Sequence, residues 1–107
     1  MRYKLPIYDQ IVTFVTSKIS PEKIVLFGSH ARGENTENSD IDILLIIRNL
    51  KNEREITGLL YTALLGENIP IAIDFLAVDL DKYNILKDKK GLIYKTIEQE
   101  GQVLYGI

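Results

Sequence analysis

Gly28 and Ser29 are followed, after ten intervening residues, by Asp40-Ile41-Asp42. Asp40 and Asp42 stand at the start of a run, Ile41 to Ile47, that reads as a strand, so both side chains leave the same face. Ile41, Ile43, Leu45 and Ile47 take the opposite face, which must be core. A further carboxylate, Asp74, interrupts the apolar run Ile71-Ala72-Ile73-Asp74-Phe75-Leu76, in which Ile71, Ile73 and Phe75 share the other face. If the two strands are neighbours, three carboxylates point into a common space. Two such charges about 5 Å apart repel by about 3 kcal/mol at an effective dielectric of about 20. Protons or cations must relieve that repulsion. An all-oxygen site in a chain without Cys suits Mg²⁺ or Mn²⁺, which keep several waters and complete their shell with substrate phosphates.

Gly28-Ser29 follows the short apolar run Ile24-Val25-Leu26-Phe27, where a strand gives way to a loop. Glycine lets a backbone approach a phosphate closely. Ser29 can offer its N–H and its hydroxyl to phosphate oxygens, helped by a helix N-terminus if one forms. Arg32 could bridge phosphate oxygens, or equally form a structural ion pair. Taken singly these features have plain readings: a Gly-Ser turn, a capped and solvated Asp-x-Asp edge. Asp74 is the more unusual, because an unpaired carboxylate buried in an apolar strand is costly. His30, the one histidine, reads as a surface or loop residue and not as a metal ligand.

Elements must hold these residues in place. Tyr8, Ile11, Val12, Val15 and Ile19 follow helical spacing and predict a helix from about Pro6 to Lys18, ended by Ser20-Pro21. Gly28 to Asn38 is polar, a loop with room for one helical turn. Ile56, Leu59, Leu60, Ala63 and Leu64 mark another helix closing near Gly66, and Ile71 to Val78 is a third strand. Asp79 is placed to cap a short helix through Ile85 and Leu86. Leu92, Ile93 and Ile97 outline a last helix before Gly101, with Val103-Leu104-Tyr105 as a packing tail. Helices interleaved with strands make an α/β (α+β) fold, a small sheet of three or more strands packed with helices. The order of strands in the sheet does not follow from this pattern.

The 107 residues suit one domain, 1–107, with one core. A hydrophobic share of 46% and a charged share of 26% are ordinary globular values. The absence of Cys excludes a disulfide scaffold, a thiol nucleophile and a thiolate metal site, and fits a cytoplasmic protein. Met1 to Ile7 lacks the apolar core of a signal peptide, and no stretch approaches membrane-spanning length. A formal charge of −2 argues against binding long nucleic acid, which needs a basic face to displace counterions. A small phosphorylated ligand held by a few local groups remains compatible with it.

Gly28-Ser29-His30-Ala31-Arg32-Gly33, five residues, then Ser39-Asp40-Ile41-Asp42-Ile43-Leu44 resembles the signature of the MNT (minimal nucleotidyltransferase) proteins of the polymerase-β-like nucleotidyltransferase superfamily. Ile73-Asp74-Phe75-Leu76 resembles that family's third-carboxylate strand, and Glu100-Gly101-Gln102-Val103-Leu104-Tyr105 its usual ending. The likeness runs from Ile24 onward, and His30 falls at a variable position. The resemblance implies a polymerase-β-like fold and transfer of a nucleoside monophosphate, typically AMP from ATP, onto an acceptor hydroxyl. It implies that Asp40 and Asp42 bind two divalent ions, and that Asp74 completes the site and activates the hydroxyl. Gly28, Ser29, Arg32 and Ser39 would then contact the nucleotide.

Many MNT proteins act as antitoxins of HEPN-domain partners, some by adenylylating a tyrosine of the partner. The resemblance therefore implies a HEPN toxin as partner, in a hetero-oligomer. Larger relatives carry an extra helical domain around nucleotide and acceptor, so a second polypeptide is expected to supply the acceptor side here. The competing expectation is a catalytically quiet module that neutralises a HEPN toxin by contact. Transfer to a small molecule is weaker, for want of a second domain to bind it.

Overall fold

The computed structural model describes residues 6–106, so part of the amino-terminal stretch read against a signal peptide lies outside the described residues. Helix α1 covers Pro6–Lys18. It opens on a proline, whose missing N–H is no loss in a first turn, and buries Tyr8, Ile11, Phe14 and Val15. Strand β1 (Lys23–Phe27) follows, then a single turn of helix, α2 (Ser29–Arg32), and strand β2 (Ile41–Ile47). Helix α3 (Glu53–Leu64) starts ahead of its apolar stripe because Asn52 caps it: the Asn52 side chain accepts the Glu55 N–H at 3.1 Å.

Strand β3 (Ile73–Asp79) begins two residues later than the apolar run suggested. Ala72 still lends its carbonyl to the Ile41 N–H at 2.9 Å. Asp79 ends the strand and caps helix α4 (Leu80–Leu86), accepting the N–H groups of Asp81 and Lys82 at 3.0 and 3.2 Å. Its other oxygen accepts the Leu50 N–H at 2.9 Å, tying the loop after β2 to the start of α4. These backbone donors hold the Asp79 carboxyl below its ordinary range. Helix α5 (Ile93–Glu100) leads through Gly101 into strand β4 (Gln102–Tyr105). The expected tail is thus an edge strand, because β1 offers it an unpaired edge: Val25 faces Val103 and Leu26 faces Gln102.

The sheet has the order β3-β2-β1-β4, with β2 and β3 parallel and the other pairs antiparallel. One face carries Ile24, Leu26, Ile41, Ile43, Leu45, Ile73, Phe75 and Ala77 in a cluster with α1 and with Leu60 of α3. The other carries Val25, Leu44, Ile46 and Val78 beneath Tyr83 of α4 and Ile97 of α5. Each fully buried Ile or Leu contributes roughly 1.5–3 kcal/mol of transfer free energy, so both layers are needed to hold the strands in register. The second face is covered only over part of its area. Its other end is where the acidic residues stand. Among the described residues no helix is long and apolar enough to cross a membrane.

Candidate functional site

Asp42 and Asp74 are paired in direct register across the parallel β2–β3 ladder. Alternation then sends both side chains to the same face, Ile41 and Ile43 of β2 and Ile73 and Phe75 of β3 being buried on the other. Asp40 lies one residue before β2 begins, and is exposed. Asp74 is exposed as well, while Asp42 is half-buried. The apolar run around Asp74 suggests a buried charge; Asp74 faces solvent, so the cost of keeping it ionised is smaller than a buried strand position implies.

Asp42 feels the strain of the site. Burial, then Asp74, then Asp40 push its carboxyl above the ordinary aspartate range, opposed by His30 and Arg32. Gly28 sits directly against it. Gly28 has φ of 75°, and a Cβ there would run into the Asp42 carboxylate. Only glycine satisfies both demands. Its carbonyl starts α2, accepting the Ala31 and Arg32 N–H groups at 3.1 and 3.2 Å, so that Ser29 is the first residue of the turn.

Arg32 and Ser39 are occupied by protein groups. The Arg32 Nε donates to Glu34 at 2.9 Å and its Nη1 lies 3.5 Å from Glu100, both exposed pairs that solvent screens and a phosphate could displace. Those partners, Glu34 first, raise the pKa of the guanidinium further. Ser39 Oγ accepts the Thr36 N–H at 2.9 Å, closing a tight turn just ahead of Asp40.

His30 is not the surface or loop residue that its polar sequence context suggests. It is 8% exposed, the buried polar side chain of α2, and its Nδ1 lies 2.8 Å from the Tyr8 hydroxyl. Its Nε2 lies 3.3 Å from the Ser39 carbonyl oxygen. The rings of Tyr8 and His30 meet edge to face at 6.0 Å. The available signal was the turn itself: in a helix started at Gly28, His30 and Ala31 are the inward residues and Arg32 the outward one.

Among the described residues no three His, Cys, Asp or Glu side chains form a ready-made metal cage. The donor set nonetheless fits a hard divalent ion. Asp42 feels the charges of both Asp74 and Asp40, these three carboxylates offer oxygen only, and Mg²⁺ or Mn²⁺ takes much of its shell from water and phosphate.

The nucleotidyltransferase domain family matches residues 8–104. A protein of Methanocaldococcus jannaschii, provisionally named a protein adenylyltransferase, is 68% identical over 25 residues, 23% of this chain and 25% of the relative. The chain thus spans about a quarter of the length of that curated relative. A chain from a toxin–antitoxin crystal structure with AMP-PNP superposes with a TM-score of 0.62 at 24% identity, over 94% of this chain and 73% of that one. A chain from the complex of tri-AMPylated Shewanella oneidensis HEPN toxin with MNT antitoxin gives a TM-score of 0.56 at 21% identity, over 94% and 71%. At those identities the likeness establishes the polymerase-β-like fold. With its sequence matched across nearly its whole length, the chain belongs to the nucleotidyltransferase domain family.

Proposed function

We propose that this chain transfers AMP from ATP to a hydroxyl of a partner protein, with two Mg²⁺ or Mn²⁺ ions, and serves as the cytoplasmic antitoxin of a HEPN-domain toxin in a hetero-oligomer. The observation that carries the reading is the in-register Asp42–Asp74 pair, with Asp40 coupled to it and Gly28 closing against it. The relatives named as a protein adenylyltransferase and as an MNT antitoxin beside an AMPylated HEPN toxin support the choice of acceptor.

Asp40, Asp42 and Asp74 would hold the metals. When bound, paired divalent ions supply a clamp on the attacking and leaving oxygens of an in-line displacement. Gly28 makes room for the Asp42 carboxylate beside the start of α2, next to which the triphosphate would lie, and Ser29 would offer its hydroxyl to a phosphate oxygen. Arg32 balances charge at the cost of its exposed pairs with Glu34 and Glu100, and Ser39 shapes the turn that delivers Asp40. Asp74, on the solvent side, is the group to accept the proton of the incoming hydroxyl. The new bond forms from that oxygen to the α-phosphorus, and the bond to pyrophosphate breaks.

A second reading, neutralisation by contact alone, draws on exposed apolar side chains, among them Leu65, Ile85, Leu92 and Ile93. Incubating the chain with a HEPN protein, Mg²⁺ and ATP labelled at the α-phosphate separates the two. The enzyme reading expects label on the partner, lost in Asp40→Asn with Asp42→Asn. A partner that is silenced yet carries no label would establish the second reading.

A further inference from the structure

Asp40 is exposed and stands outside the β-ladder, yet a metal ligand has to be held still. The peptide after it is fixed, because the Ile41 N–H donates to the Ala72 carbonyl of the neighbouring segment at 2.9 Å. The peptide before it, Ser39–Asp40, ends a turn at the surface. Its carbonyl oxygen is the atom that His30 Nε2 reaches at 3.3 Å. Holding that oxygen sets the plane of the peptide, and the plane sets the direction in which Asp40 leaves the chain.

We propose that His30 is a positioning residue for Asp40, a strut running from α1 through the imidazole to the peptide that presents the carboxylate. A carbonyl oxygen can only accept, so Nε2 carries the hydrogen, and Nδ1 shares the second bond with the Tyr8 hydroxyl at 2.8 Å. That second bond fixes the ring, as the outer partner of an oriented histidine does in metal sites. Tyr8 is 3% exposed and His30 8%, so water competes poorly for either bond. The strut joins α1, α2 and the turn before β2, three pieces that no β-ladder connects. It rests on the proposed function only for its purpose, since the geometry it predicts exists without ligand.

The test compares His30→Gln, whose amide reaches the place of Nε2, with His30→Asn, whose amide reaches only that of Nδ1. Tyr8→Phe removes the anchor and leaves the ring. The first readout is amide hydrogen exchange in metal-free protein, at Ile41 relative to the core strand amides of Leu26 and Leu44. The second is Mn²⁺ affinity in the presence of AMP-PNP. We expect His30→Asn to speed Ile41 exchange about tenfold beyond any change in the core amides, and to weaken Mn²⁺ binding by about tenfold. His30→Gln should restore both to within about threefold of the parent. If the asparagine variant does not fold, Tyr8→Phe decides alone, with faster exchange at Ile41 expected. Equal relative exchange at Ile41 in every folded variant overturns the strut, whatever the melting temperatures. A parent chain that binds no Mn²⁺ would defeat the metal reading instead, and the exchange data would still decide the role of His30.

Discussion

Replacing Asp42 by Asn should make the metal-free protein more stable at neutral pH, although it removes a native side chain from a half-buried position. Neighbouring strands lie about 4.8 Å apart, and at that separation two unit charges repel by about 3.5 kcal/mol at a dielectric of about 20, but by about 0.9 kcal/mol in water. Asp74, the register partner, is exposed, so solvent screening puts the Asp42–Asp74 repulsion near the lower figure, about 1 kcal/mol. Asparagine keeps the volume that Gly28 leaves open and carries no charge. For a domain of this size, about 1 kcal/mol raises the melting temperature by about 4–8 °C.

The sign of the pH dependence follows from the direction of the shift. Asp42 has its folded pKa raised by burial, Asp74 and Asp40, so the folded state holds this proton more tightly than the unfolded chain. Stability from this group is therefore greatest below the ordinary aspartate pKa of about 4, and falls as pH rises toward the elevated folded value. The advantage of Asp42→Asn should be full at pH 7 and vanish at about pH 3, where the parent is protonated too. Differential scanning fluorimetry in EDTA across that range measures it. The same scan with MnCl₂ and AMP-PNP should reverse the order, since only the parent gains stability from binding. A variant that melts below the parent at pH 7 in EDTA, with a gap that does not change with pH, would refute the reasoning.

Gly28→Ala should destabilise the fold by about 1–3 kcal/mol and abolish nucleotide-dependent stabilisation, because it needs a left-handed backbone and room held by Asp42; chemical denaturation with and without AMP-PNP checks both. Asp79→Ala should lower the melting temperature above the ordinary aspartate range but not in acid. The lowered pKa of Asp79 means its contribution is present at higher pH and disappears as pH falls through the depressed folded value, so melting curves of parent and variant should converge there. Asp74→Asn should keep the fold and much of the nucleotide affinity while slowing transfer by about 10²–10⁴-fold; normal single-turnover rates in a variant that melts early would make Asp74 structural.

Much of this architecture could be read from local signals. Pro6 and Ser20-Pro21 bracket α1, and the apolar run from Ile41 to Ile47, interrupted only by Asp42, marks β2. Asp79 announces its helix because capping acts within a few residues of the cap. What could not be read depends on partners remote in sequence. Val103-Leu104-Tyr105 is too short to declare itself a strand, and becomes one only because β1 has a free edge. The order β3-β2-β1-β4 is likewise a matter of pairing, so the meeting of Asp42 with Asp74 stayed conditional on two strands being neighbours. Local polarity also misled twice. Asp74 looked buried because its strand is apolar, yet it lies beyond the part of the sheet that α4 and α5 cover. His30 looked like a loop residue because the turn that buries it is only four residues long.

The parallel register that joins Asp42 to Asp74 also governs how this domain can change length. Side chains on a strand alternate, so sliding β3 by one residue would carry Asp74 to the helix-packed face and bring Ile73 or Phe75 to the acidic one. Two residues of slip would restore the face but move the carboxylate about 7 Å along the strand. Insertions of any size therefore have to fall outside Ile73–Asp79, and the stretch from Gly66 to Ala72, which joins α3 to β3, is where they can be absorbed. Drift in chain length is thus confined by hydrogen-bond pairing well before it is confined by chemistry, and kin of this domain should differ in that connection while keeping Asp42 and Asp74 abreast.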